Sequence, residues 1–233
     1  KYISNASIRY AINPTTNVYF SFSKGFKSGL EQAPPNIFVA SPPPVKPESL
    51  NAYEIGYKGR VAPGVSLEVS AFHYDWKNIQ VGSYIPPSGE FQNAAKARSN
   101  GGEIDLNWRV TPDFTASGGF TYLDGKYVSF KKAGVYLTDP EGFGNDFDEV
   151  DASGHQLQRL AKYQANLNLN YTHDFSSGHL GAYVSIAYQS KTTFDPIGNI
   201  VQGPVTTVNA ELSFAPINFM QGARFVLWGK NLT

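Results

Sequence analysis

The chain has 233 residues, with 19 basic side chains against 19 acidic ones and no cysteine. That balance supplies no field for nucleic acid, and the missing thiols remove disulfide frameworks, zinc ribbons and cysteine nucleophiles. No stretch approaches 18 consecutive apolar residues and the opening KYISNASIRY lacks the basic and apolar regions of a signal peptide, so a helical membrane span is excluded.

Aromatic residues make up 14% of the chain, glycine and proline are plentiful, and no segment holds a 3.6-residue period. The chain therefore reads as nearly all β. Apolar residues at alternate positions mark about ten strands, over residues 2–12, 17–27, 49–60, 65–81, 102–110, 114–122, 162–172, 179–189, 205–215 and 222–232. In VKPESLNAYEIGYKG (45–59), Tyr53, Ile55 and Tyr57 share one parity, and Glu54, Gly56 and Lys58 the other. In SLEVSAFHYDW the apolar parity runs Leu67, Val69, Ala71 and then switches to Phe72, Tyr74, Trp76. That switch predicts a bulge near Ala71, or a strand that leaves its sheet early. GEIDLNWRV sets Ile104, Leu106, Trp108 and Val110 against Glu103, Asp105, Asn107 and Arg109; FTASGGFTY sets Phe114, Ala116, Phe120 and Tyr122 against Thr115, Ser117 and Thr121. KYQANLNLNYT alternates from Tyr163 to Tyr171 against four amides, and HLGAYVSIAYQ repeats the pattern from Leu180 to Tyr188.

The connections alternate in length. Short ones lie at 13–16, 61–64, 111–113, 173–178 and 216–222; long ones lie at 28–48, 83–92, 130–158 and 191–203. Short and long connections thus fall at opposite ends of the sheet, as periplasmic turns and extracellular loops do in a transmembrane barrel.

The same alternation fits a soluble β-sandwich, which would bury Leu167 and Leu169 between two sheets. Strand length favours the barrel: soluble strands average about 5–6 residues, whereas these run about 9–12, enough to cross a bilayer at a tilt near 45°. Tyr163 and Tyr171 would then stand about 19 Å apart along the normal, as two aromatic girdles do. An Arg or Lys facing lipid near the midplane would cost about 2–4 kcal/mol, which accounts for the clean apolar parity. With short turns periplasmic, both chain ends fall on the extracellular side. The expectation is an open, up-and-down antiparallel sheet of about ten strands whose first and last do not pair, part of a larger barrel. The alternative is a smaller closed outer-membrane barrel acting as a pore or adhesin.

VYFSFSKGFKSG (18–29), VKPESLNAYEIGYKG (45–59), AFHYDWKNIQV (71–81), NAAKARSNGGEIDLNWRV (93–110) and LWGKNLT (227–233) together resemble, in order, the C-terminal half of the TonB-dependent outer-membrane receptors. The resemblance covers nearly all of 1–233. It implies a 22-stranded barrel in the outer membrane of a Gram-negative bacterium, plugged by its own N-terminal domain. Such receptors import scarce ligands such as ferric siderophores, cobalamin or sugars, powered through the inner-membrane TonB complex. The plug and the TonB-contacting segment are expected outside this sequence, and the family usually continues past Asn231, Leu232 and Thr233 into one more strand.

On that reading Lys27, Trp76, Tyr84, Arg98, Lys126 and Gln189, near the outer ends of strands, are candidates for ligand contact at the mouth. Glu54, Lys58, Glu68, Glu103, Asp105 and Arg109 are candidates for a lumen wall that meets the plug. The loop DPEGFGNDFDEVDASGH carries Asp139, Glu141, Asp146, Asp148, Glu149 and Asp151, hard ligands for calcium without EF-hand spacing; a solvated loop is the simpler reading. His173 and His179 flank a short turn, and solvated turn residues are again simpler than a shared metal. His73 beside Asp75, and His155, lack a serine in a nucleophile-elbow context, so neither catalysis nor a cofactor is expected.

Overall fold

The computed structural model describes residues 2–34, 38, 40–85, 88–139, 141–142, 144–218, 220 and 222–233, without the side chains of residues 83–85, 88, 94 and 95. Its strands are β1 (Ser4–Asn13), β2 (Thr16–Lys27), β3 (Glu48–Ala62), β4 (Val65–Ile85), β5 (Ser88–Arg109), β6 (Phe114–Ser129), β7 (Ala133–Thr138), β8 (Asn145–Val150), β9 (Tyr163–Phe175), β10 (Gly178–Gln189), β11 (Thr192–Thr193), β12 (Val201–Gln202), β13 (Val205–Pro216) and β14 (Phe225–Gly229). Ten of them form one antiparallel sheet in the order β1-β2-β3-β4-β5-β6-β9-β10-β13-β14. β1 and β14 are its two edges and do not pair with each other, as the sequence predicts.

Local chemistry closes the tight turns. The Asn13 side-chain oxygen accepts the Thr15 amide at 2.9 Å, a side-chain mimic of a backbone turn. Gly64 takes φ +73°, a conformation that suits glycine, between β3 and β4. Thr111 Oγ1 accepts the Phe114 amide at 3.0 Å between β5 and β6.

Register turns strand alternation into two faces. Residues directly opposite each other share a face, so Phe20, Ile55, Ala71, Gly102, Tyr122 and Tyr163 form one row across six strands. The face carrying this row is apolar and uncovered: Ile55 is 60% exposed, Ile104 46%, Leu167 40% and Leu212 49%. Among the described residues no second sheet packs on it, which rules out the sandwich. The opposite face carries Asn, Gln, Ser, Glu and Asp.

The buried apolar cluster is small and lies at the long-connection end, joining Val81, Ala97, Tyr127, Phe130, Ala133, Ala152 and Leu157. It forms because the chain after β8 folds back along the open edge of β6, where Gln156 bridges to Lys126 and Leu157 is set against Gly125. Tyr127 N donates to His155 O at 3.0 Å and Leu157 N to Gly125 O at 3.0 Å.

Several expectations change. No bulge occurs at Ala71 and β4 does not leave its sheet, for the register with β3 and β5 runs unbroken through Ala71 and Phe72. Phe72, Tyr74 and Trp76 instead continue the parity of Glu68 and turn to the polar face. The Phe72 ring lies over Gly101, where any Cβ would collide with it. The opposite parity passes to His73, Asp75 and Lys77. The expected long loop at 83–92 is largely strand, since β4 reaches Ile85 and β5 starts at Ser88. The connection 130–158 contains the β7–β8 hairpin, and 191–203 the short β11–β12 pair. The last strand is limited to Phe225–Gly229 rather than 222–232. Positions 86, 87, 140, 143, 219 and 221 of these connections lie outside the described residues.

Candidate functional site

The polar face carries chemistry at two levels. In its middle, neighbouring strands bring Tyr19, Glu54, Lys58, Glu68, Glu103 and Asp105 around a groove of about 140 Å³. Tyr19 Oη donates to Glu54 Oε1 at 2.6 Å, and Lys58 Nζ pairs with Glu68 Oε2 at 2.7 Å. Tyr19 reaches Glu54 by lying across Gly56, whose missing Cβ leaves room for the ring. Arg109 follows on the same parity at the end of β5. Four carboxylates thus face one lysine and one arginine, a wall suited to polar or cationic groups of whatever fills the space in front of it.

Toward the long connections the face turns aromatic. Phe72 and Tyr74 stack at 4.9 Å, and Tyr74 meets Trp76 edge-on at 5.7 Å. Trp76 opens into a cleft of about 640 Å³, lined also by Phe91, Leu123, Leu157, Arg159 and Gln164. Arg159 sits at φ +58°, uncommon for a residue with a Cβ, and its amide donates to Thr193 O at 2.7 Å. Among the described residues its guanidinium, which is exposed, has no hydrogen-bond partner. An apolar, partly aromatic cleft with one free cation fits an anionic ligand with a flat or greasy surface.

A family model described as TonB dependent receptor-like, beta-barrel, matches residues 1–232. The chain belongs to this family. The fold is similar to the ferric yersiniabactin uptake receptor FyuA from Yersinia pestis, at 20% identity and a TM-score of 0.75, over 98% of this chain and 31% of that one. It is similar also to the siderophore receptor PiuA from Acinetobacter baumannii (19% identity, TM-score 0.69, 98% of this chain and 31% of that one). The copper transporter OprC follows at 13% identity and a TM-score of 0.66, over 98% of this chain and 33% of that one. This chain thus spans about a third of the length of these structures, with coverages of 31%, 31% and 33%. TonB-dependent receptors are outer-membrane barrels of Gram-negative bacteria, and they are receptors and transporters, not enzymes.

In this TonB-dependent receptor segment all six wall candidates, Glu54, Lys58, Glu68, Glu103, Asp105 and Arg109, share the polar face. The mouth candidates divide. Lys27, Trp76 and Gln189 take the polar parity; Lys27 Nζ stands 5.7 Å from the Phe91 ring centre, and Gln189 donates to Thr192 Oγ1 at 3.0 Å. Arg98 and Lys126 take the apolar parity and meet Asp75 and Asp124. The side chain of Tyr84 lies outside the described residues.

His173 and His179 fall on opposite faces, held by Asp113 and Asp174 respectively, so they share no metal. Within the acidic loop, Asp151 and Glu149 pair with Lys131 and Lys132, and no three acidic or histidine groups among the described residues converge. Tyr19, Phe72, Tyr74 and Arg159 are missed from sequence. The signal for Phe72 and Tyr74 was present in the parity switch; for Arg159 there was none.

Proposed function

We propose that residues 1–233 form part of the barrel of an outer-membrane receptor for TonB-energised uptake of a scarce ligand such as a ferric siderophore, cobalamin or a carbohydrate. The apolar face meets the lipid of the outer membrane. The polar face lines the lumen, where Glu54, Lys58, Glu68, Glu103, Asp105 and Arg109 contact the protein's own N-terminal plug domain. At the mouth, Trp76 and Arg159 hold the ligand, with Lys27, Tyr84 and Gln189 on its approach. Energy comes from the inner-membrane TonB complex through the full-length protein.

The observation that carries this reading is the cleft itself, which opens on the polar face at the end with the long connections and counts Trp76 and Arg159 among its lining residues. The free cation favours an anionic ligand, and among the classes named a ferric siderophore fits best. Growth of an iron-limited strain on a panel of ferric siderophores tests it, with full-length wild type, Trp76→Ala and Arg159→Ala compared. Each substitution is expected to weaken binding of the supported ligand about tenfold, the effect of losing a contact worth about 1.4 kcal/mol. Growth and binding unchanged in both variants would overturn the assignment of this cleft.

A further inference from the structure

The apolar face ends in a cluster of charge. Tyr122 and Tyr163 meet at 5.6 Å on that face, and Lys162 Nζ lies 5.6 Å and 5.8 Å from their ring centres. Aromatic rings with a lysine reaching past them mark the edge of a hydrocarbon layer. On the same parity of β6, Asp124 and Lys126 follow Tyr122. At about 3.3 Å per residue Lys126 is about 13 Å further along the strand, and a tilt near 45° puts it about 9 Å higher, at headgroup depth.

At that level the register sets Asp75, Arg98 and Lys126 side by side in one row, and Lys77 directly opposite Lys96 in the next. Arg98 uses Nε on Asp75, at 3.1 Å, and among the described residues its two terminal amino groups have no partner. Lys126 pairs with Asp124 at 3.3 Å, and His73 with Asp75 at 2.9 Å. Lys77 and Lys96 are exposed and have neither an ion pair nor a hydrogen bond among the described residues. Two like charges facing each other across a ladder repel, unless an anion sits between them. A groove of about 230 Å³ runs between them, lined by Asn51, Asp75, Lys77, Lys96, Arg98 and Val128. The chain carries no net charge, so this is a local excess of four cations over two carboxylates.

We propose that Lys77, Lys96 and Arg98 form a binding site for the phosphate of a membrane lipid in the extracellular leaflet. The site rests on the reading that the apolar face meets lipid. It faces away from the lumen and runs directly into the exposed apolar band at Tyr53 and Ile55, so an occupant with acyl chains lays them along that band. Arg98 offers its two free amino groups as a fork to two phosphate oxygens, and the two lysines supply point charges on either side.

The test uses the full-length receptor in neutral detergent, read by native mass spectrometry and thermal shift. The probes are a diphosphorylated lipid A, the same lipid with its phosphates removed, and inorganic phosphate. The diphosphorylated lipid is expected to bind and stabilise, with affinity falling tenfold or more in K77Q/K96Q/R98Q and retained within threefold in K77R/K96R. Heat-modified gel mobility checks that each variant is folded; if the triple variant is not, K77Q/K96Q is expected to lose affinity at least threefold. Equal binding by a folded glutamine variant, equal binding of the dephosphorylated lipid, or equal stabilisation by inorganic phosphate would each overturn the site. Receptor whose apolar face proved to be sealed against protein would instead remove the lipid reading on which it rests.

Discussion

Tyr19, Gly56 and Glu54 show how one small residue fixes a polar contact: the ring crosses Gly56 to donate its proton to Glu54 at 2.6 Å. Gly56→Val in the full-length receptor is expected to cost about 1–3 kcal/mol through overpacking, read by urea titration of the folded barrel. A second prediction concerns Asp151, which lies outside the ten-stranded sheet. Lys131 Nζ donates to it at 2.6 Å and the Ser153 amide at 2.9 Å, and together they hold its carboxyl well below the ordinary 3.8. Because its folded value is lowered, the pairing contributes fully above about pH 4 and is lost as pH falls through that lower value. The carboxyl carbon shift of Asp151 should therefore stay that of a carboxylate at pH 3, and Lys131→Ala should bring the midpoint back toward the ordinary value. A midpoint unmoved by that change would detach the shift from the lysine. Lys131 and Asp151 were legible as charges but not as a pair, because they lie 20 positions apart and only the β7–β8 hairpin joins them.

At the level of the strand, stability depends on which parity meets which medium. Ile104 and Asp105 are neighbours in the middle of β5 on opposite faces. Ile104→Lys is expected to destabilise the barrel by about 2–4 kcal/mol, while Asp105→Lys stays within about 1 kcal/mol, measured by equilibrium refolding into lipid bilayers. Similar costs for both would mean that the faces are not chemically distinct. The positions of these strands could be read from sequence because each keeps a strict two-residue period over a long run. The β7–β8 hairpin could not, since NDFDEV reads as an acidic loop and spans only 6 residues. The parity switch at Ala71 and Phe72 was visible but ambiguous. A bulge and a change of surroundings on one face leave the same trace, and only the unbroken pairing with β3 and β5 decides between them.

At the scale of the molecule, equal numbers of acidic and basic groups conceal a strong separation by face and by height. Carboxylates dominate the middle of the polar face, and Lys77 and Lys96, unpaired among the described residues, stand opposite each other at the far end of the apolar one. The single-layer sheet, its unpaired edges and its family were within reach of the sequence, because motif order and strand length extend over the whole chain. The cleft was not, because it depends on residues 152–161 folding onto β6, a contact that no periodicity announces. On the proposed reading, one face of this sheet meets lipid and the other an aqueous lumen. Since the chain contributes no cysteine, single cysteines placed from position 163 to 171 in the full-length receptor can carry spin labels in native outer membranes. Labels at 163, 165, 167, 169 and 171 are expected to be relaxed by oxygen and those at 164, 166, 168 and 170 by a water-soluble nickel chelate; a flat profile or the reverse alternation would contradict the two-faced sheet.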